Sequence, residues 1–230
     1  MDGNPDDPTA LAFASIDLQK SAGSFVPATS GTAGNFDVTY TFVFTNTGTE
    51  TLDNVAITDN LAAQFGDAFE RVVPNTVTVS NSTATTTPGA NTNFAGGANQ
   101  SLVDNTGVVA SGQSFTVTVV VELDPDADPS VLVNGQFENT AFATGENPAD
   151  MVVMDESDDP TDPTSDLDDP TLYALSDITA LKSVSGFVDA TSGTAGNFDV
   201  SYTFTVTNTC LLYTSPSPRD LSTSRMPSSA

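Results

Sequence analysis

The sequence predicts an all-β fold, a two-sheet sandwich present once in full and once in part. Two observations predict it. Apolar and polar residues alternate with period two along several short segments. An internal repeat marks where the folding unit begins and ends. The segment ATSGTAGNFDV, Ala28 to Val38, returns unchanged as Ala190 to Val200. Around it Asp6-Asp7-Pro8-Thr9 matches Asp168-Asp169-Pro170-Thr171, Lys20 matches Lys182, Tyr40 matches Tyr202, and Asn46-Thr47 matches Asn208-Thr209. The register never slips.

The repeat sets the expected organisation. Residues 1–9 read as the end of a preceding acidic linker, 10–154 as a complete module and 155–171 as an acidic Pro/Asp linker. Residues 172–209 read as the first two strands of a truncated second module, too short to bury a core alone. After Thr209 the match stops and composition shifts. Residues 210–230 hold the only Cys and two of the three Arg residues. They back-translate to a sequencing adapter, so they are expected to be a disordered tail outside natural protein, and the chain a metagenomic fragment.

The clearest strand is Phe36–Asn46. Phe36, Val38, Tyr40, Phe42 and Phe44 share one face, and Asp37, Thr39, Thr41 and Thr45 the other. The second copy repeats this with Phe198, Val200, Tyr202, Phe204 and Val206. Phe115–Leu123 alternates likewise, with Phe115, Val117, Val119, Val121 and Leu123 inward. Shorter strands are expected at 12–20, 54–59, 76–80, 107–110, 136–144 and 151–154. Thr83–Gln100 is a Thr/Asn/Gly loop without periodicity, and 60–69 has room for one helical turn. Several one-sided strands at this spacing predict a sandwich of the immunoglobulin type.

Composition narrows function. Without the tail the chain has 29 acids against three bases, Lys20, Arg71 and Lys182. Nucleic acid is excluded as a partner, since phosphate binding needs a basic face. Histidine is absent, which removes the commonest general base. No apolar run approaches the ~20 residues of a membrane helix, so no membrane insertion is expected here. The natural part lacks Cys and cannot rely on disulfides. Cations, calcium above all, are the plausible counter-ions. Asp155, Asp158, Asp159, Asp162 and Asp166 offer hard oxygen ligands in a dense run, although they do not match the EF-hand spacing.

One constellation carries chemistry. By strand parity Lys20 falls with Ile16 and Leu18, Asp59 with Val55 and Ile57, and Asn139 with Phe137 and Ala141. A lysine, an acid and an amide then face the core from three strands. Three arrangements fit. Lys20 can snorkel from its strand end, with Asp59 opening a turn and Asn139 bonding to backbone. It can pair with Asp59 as a buried ion pair. Or a desolvated neutral lysine can attack the Asn139 amide, polarised by protonated Asp59, to form an autocatalytic isopeptide bond. No other catalytic set emerges, and no enzyme is expected.

The run YTFVFTNTGTETLDNVAITDNL, Tyr40 to Leu61, resembles the core of the "domain of unknown function 11" repeat family, in the order Tyr40, Asn46-Thr47-Gly48, Val55, Asp59. ENTAF around Asn139-Thr140-Ala141 is similar to that family's last strand, and SIDLQKS around Lys20 to its first. The loop after Asp59 lacks the family's frequent Pro, and Thr83–Gln100 is long. The resemblance implies an immunoglobulin-like sandwich in tandem arrays on large bacterial cell-surface or secreted proteins. It implies no activity. The function expected is therefore a spacer or stalk module of an adhesin-like surface protein, partnered by neighbouring repeats of the same chain. The alternative is an adhesion module that contacts an extracellular glycan or protein through its Thr/Asn-rich loops.

Overall fold

A computed structural model describes residues 12–124, 137–161, 168–173, 178–189 and 196–208. The chain divides into two compact units, the first ending at Tyr173 and the second beginning, apart from residues 134–136, at Ala174. The first is the all-β, immunoglobulin-like sandwich expected from the alternation.

Its strands are β1 (Ile16–Ala22), β2 (Val26–Pro27), β3 (Phe36–Asn46), β4 (Leu52–Asp59), β5 (Phe69–Val72), β6 (Thr78–Ser80), β7 (Gly107–Val109), β8 (Ser114–Leu123), β9 (Phe137–Asn139), β10 (Ala141–Glu146), β11 (Val152–Glu156) and β12 (Thr171–Tyr173). One sheet runs β1-β3-β8-β5, with β2 on β3 and β6 on β8. The other runs β11-β10-β4-β7, and β12 pairs β9. A helical turn, α1 (Leu61–Phe65), and a 3-10 turn follow β4, in the segment expected to hold one turn. Asn60 caps α1 by accepting from the Ala63 N–H at 3.2 Å.

β3 forms because its inward positions are all large and apolar. Val38, Tyr40, Phe42 and Phe44 are buried, as are Phe115, Val117, Val119, Val121 and Leu123 on β8. Phe44 stacks on Phe115 with centroids 5.0 Å apart. The second sheet contributes Val55, Ile57 and the small Ala141 and Ala143, so bulky and slight layers complement each other. Each buried Phe or Leu contributes about 2–3 kcal/mol against the entropy of ordering.

Three departures from expectation have local causes. The segment expected as one strand over 136–144 breaks at Thr140, whose backbone turns to the Gln64 side chain. β5 was hidden behind the preceding turn. The acidic run is also structured over its described residues. Asp155 and Glu156 end β11, Ser157 N donates to Ala141 O at 2.9 Å, and Asp158 lies along β1. Asp158 N donates to Leu18 O at 2.9 Å and Lys20 N to Asp158 O at 2.8 Å. The module therefore extends past Met154 to Tyr173, because this segment satisfies the outer edge of β1. The expected linker residues 162–167, the segment 1–9 and the tail 210–230 lie outside the described residues.

The repeated loop 28–35 has its own anchor. Glu122 faces away from the core on β8 yet is fully covered. It accepts from Arg71 Nε at 2.6 Å, Thr32 N at 2.9 Å and Asn35 Nδ2 at 3.0 Å. Burial alone would push this carboxyl up, but these donors hold it below the usual carboxylate range. Gly31, at φ +138°, lies so close that a Cβ would collide with the carboxylate. In the second unit β13 (Ile178–Val184) pairs with β16 (Tyr202–Asn208), and β14 (Val188–Asp189) with β15 (Phe198–Asp199). Lys182 stands opposite Phe204, as Lys20 stands opposite Phe42.

Gly31→Ala should lower the melting temperature by roughly 5 °C or more, as a forced φ and a steric clash together require. Gly23→Ala, with ordinary contact space and no positive φ, should leave it nearly unchanged. Thermal melts by circular dichroism decide this, and equal melting of the two variants would count against the clamp.

Candidate functional site

The residues that matter come from three strands and one helical turn. Lys20 is the inward residue at the middle of β1. It is fully buried, so it does not snorkel; the strand continues two residues beyond it, and Asp158 closes the edge through which its chain would have left. Asp59 ends β4 at 2 % exposure, and Asn139 ends β9 at 0 %.

The structure brings all three together. Lys20 Nζ donates to Asp59 Oδ2 at 2.7 Å, and Asn139 Nδ2 donates to the same oxygen at 3.3 Å. The amine and the amide therefore converge on one carboxylate oxygen. Gln64 of α1 holds the other one, donating to Asp59 Oδ1 at 3.1 Å and to Thr140 O at 2.9 Å. The Oδ1 atom of Asn139 is buried with no hydrogen-bond partner.

The walls are aromatic. Lys20 Nζ lies 4.9 Å from the Tyr40 ring centroid and 5.4 Å from that of Phe42. Phe65 packs on Tyr40 at 6.4 Å and edge-on to Phe137 at 5.4 Å. Thr171 Oγ1 closes the strand side, donating to Lys20 O at 3.0 Å. In this low-dielectric pocket burial dominates the titration of both charged groups. It lowers the Lys20 amine to about 8 against the opposing pull of Asp59, and it pushes the Asp59 carboxyl up. Both shifts favour the neutral amine and the neutral acid.

Gln64 gave no sequence signal. Its role depends on α1 turning back over β4, and its spacing of five residues from Asp59 has no period of its own. Thr171 was equally hidden, inside a stretch expected to be linker.

The acidic run divides. Asp155 Oδ2 accepts from Leu18 N at 2.7 Å, and Asp159 Oδ1 accepts from Thr161 N at 2.9 Å and its hydroxyl at 2.6 Å. Asp158 Oδ1 accepts from the backbone N–H groups of Asp168 and Asp169. Asp162 and Asp166 lie outside the described residues. Among the described residues no three His, Cys, Asp or Glu side chains are grouped to hold a metal ion. Asp155 is pushed up to about 6, first by desolvation and then by Asp168, Asp17 and Asp158, against the Leu18 hydrogen bond.

Two surface recesses show no acid–base pair. One, lined by Val72, Pro74, Asn75, Val77 and Phe94, holds no titratable group. The other has Glu50 alone, engaged by Asn147 Nδ2 at 3.0 Å. The Thr/Asn-rich loop directs much of its polarity inward. Asn91 Nδ2 donates to Ser101 O at 2.7 Å, and Asn99 Nδ2 to Asn93 O at 3.0 Å. Among the described residues no helix is long and apolar enough to cross a membrane.

Compared with known proteins, the chain matches some solved structures at low identity and low TM-score. No family model matches it, and no curated protein matches it. It is similar to the BcpA major pilin subunit of Bacillus cereus at 12% identity and a TM-score of 0.36, covering 85% of this chain and 55% of that one. A BcpA variant gives 11% identity and a TM-score of 0.39, over 85% and 56%. A GH20 exo-β-N-acetylglucosaminidase from Vibrio harveyi gives 14% identity and a TM-score of 0.33, over 66% of this chain and 19% of the enzyme. The chain thus spans a little over half of the pilin subunit and about a fifth of the glycosidase.

Two outcomes follow from the charges. Asp59→Ala leaves Lys20 buried without its counter-ion and should cost about 3–5 kcal/mol in chemical denaturation. For Asp155, a raised folded pKa means that the folded state binds more protons between the ordinary carboxylate value and about 6. Its contribution is thus most favourable below that window and is lost as pH rises through about 6. Asp155→Asn keeps an acceptor for Leu18 N and removes the charge. Its melting temperature should exceed wild type by a few degrees at pH 7 and converge with it near pH 4; a constant difference across that range would count against the linkage.

Proposed function

We propose that the chain is part of a spacer or stalk: a non-catalytic structural module in a large bacterial cell-surface or secreted, adhesin-like repeat protein. The observation that carries this reading is where the backbone enters and leaves the first unit. β1 begins at Ile16, opposite Asn46, beside the tight turn that leads to Leu52. The same end holds Glu146, opposite Asp53. At the far end, Asp59 faces Ala141 and β9 lies beyond it. The chain leaves there, through Tyr173 opposite Phe137. Backbone thus enters one end of the sandwich and exits the other, which is the geometry a module needs to add length in series.

The repeat supports the same reading. β12 closes the first module at Tyr173 and β13 opens the next at Ile178, leaving four residues between them. The acidic surface opposes self-association of a long array. The alternative of a ligand-binding adhesion module draws on the Thr/Asn-rich loop, much of whose polarity is spent on its own backbone.

Small-angle scattering on one, two and three complete modules tests the proposal. The maximum dimension should rise by about one module length per repeat. A dimension that stays near that of one module would overturn it. Specific binding of a single module to a glycan or protein panel would favour the adhesion reading.

A further inference from the structure

We propose that Lys20 and Asn139 are joined by an intramolecular isopeptide bond, formed by the folded chain itself with Asp59 as the proton-transfer group. This goes beyond the spacer reading, which stands with or without a covalent cross-link.

The geometry supplies each requirement. The nucleophile must be a neutral amine, and Lys20 sits in a fully buried aromatic pocket with its Nζ on Asp59 Oδ2 at 2.7 Å. The electrophile must be an amide held beside it, and Asn139 Nδ2 meets the same oxygen at 3.3 Å. The proton carrier must touch both, and Asp59 Oδ2 does. Water must be excluded so that ammonia leaves without hydrolysis of the side chain; all three residues are at most 2 % exposed. The unpartnered buried Oδ1 of Asn139 is the atom on which negative charge develops during attack. An uncompensated polar atom at that point is costly in a purely structural triad. It finds a donor when the amide turns over and Asp59 is protonated.

The step balances without a co-reactant. A proton moves from Lys20 Nζ to Asp59 Oδ2, leaving a neutral amine and a neutral acid. Nζ attacks Asn139 Cγ as Asp59 donates its proton to Oδ1, giving a tetrahedral centre. Asp59 takes the surplus proton from Nζ and delivers it to Nδ2, then takes the proton from Oδ1 as the carbonyl re-forms, and so ends protonated. The Cγ–Nδ2 bond breaks, ammonia leaves, and a secondary amide links Nζ to Cγ. Gln64 is a positioning residue: it fixes the second Asp59 oxygen and the Thr140 backbone next to Asn139.

The second copy supplies an internal contrast. Lys182 Nζ lies 4.3 Å from the Tyr202 ring centroid and 5.4 Å from that of Phe204, so the aromatic floor is rebuilt. The parts of the repeat that carry Asp59 and Asn139 lie beyond Thr209, where the match ends.

The deciding experiment is the intact mass of the full, folded chain, followed by digestion at acidic residues and fragment sequencing. The expected result is a mass one ammonia below the sequence and a branched peptide joining the Lys20 and Asn139 segments. A folded chain with unshifted mass, or a loss of ammonia that maps elsewhere, would overturn the proposal. Two variants isolate the roles. Asn139→Asp should lose one water instead of ammonia, because the leaving group changes. Asp59→Asn should keep its full mass while retaining native far-ultraviolet circular dichroism; ammonia loss in that variant would overturn the role given to Asp59. Should Asp59→Asn fail to fold, wild-type mass and the Asn139→Asp product still decide.

Discussion

The first module is organised around a lysine that has no access to water. Taking an ammonium and a carboxylate out of solvent costs several kcal/mol each, recovered only if geometry and additional hydrogen bonds are right. Lys20 and Asp59 come from strands in different sheets, and Asn139 and Gln64 from two further elements. A one-residue slip of β1 against β3 would turn Lys20 outward and leave Asp59 buried without a counter-ion. The pair is thus weak as a source of net stability and strong as a selector of register. It penalises every pairing except the one in which Lys20 meets Phe42 and Asp59 meets Ala141.

This constraint explains the acidic segment. A buried lysine on an edge strand needs its open side covered, and β1 has only β3 as a full partner. Asp155, Asp158 and Thr171 cover it by bonding to Leu18 and Lys20 backbone groups. The chain accepts crowded carboxylates for this purpose, and Asp155 shows the cost as a carboxyl pushed up to about 6. A segment whose composition suits a solvated spacer is held because it satisfies backbone groups that would otherwise face a buried charge.

The strands of the core could be read from period two because their partners are also strands: β3 and β8 bury alternate residues whatever the details of their neighbours. Parity alone placed Lys20, Asp59 and Asn139 on inward faces. It could not distinguish an exposed strand end from a covered one, because the cover arrives from residues 158 and 171. Gln64 reaches Asp59 through the angle at which α1 leaves β4, which no periodicity encodes. Glu122 follows the alternation as an outward residue and is nevertheless buried, since loop 28–35 folds over it. What stayed illegible is what depends on long-range closure.

The repeat itself separates the two kinds of constraint. The unbroken identity from Ala28 to Val38 spans the loop that supplies Thr32 and Asn35 to Glu122 and the glycine that must approach it. That identity reflects backbone closeness to a buried carboxylate, which tolerates no added Cβ. Where packing is more forgiving, the copies diverge: Phe44, stacked on Phe115, corresponds to Val206. Yet Tyr40 and Phe42 return as Tyr202 and Phe204, and each pair of rings lies beneath a lysine. An apolar strand pair alone would not need that retention, since Val or Ile fills such a face equally well. Rings are needed where the residue opposite carries an amine that must be desolvated and still stabilised, by a face of negative potential. The aromatic floor is thus set locally by two paired strands, before the acid and the amide arrive from the rest of the module.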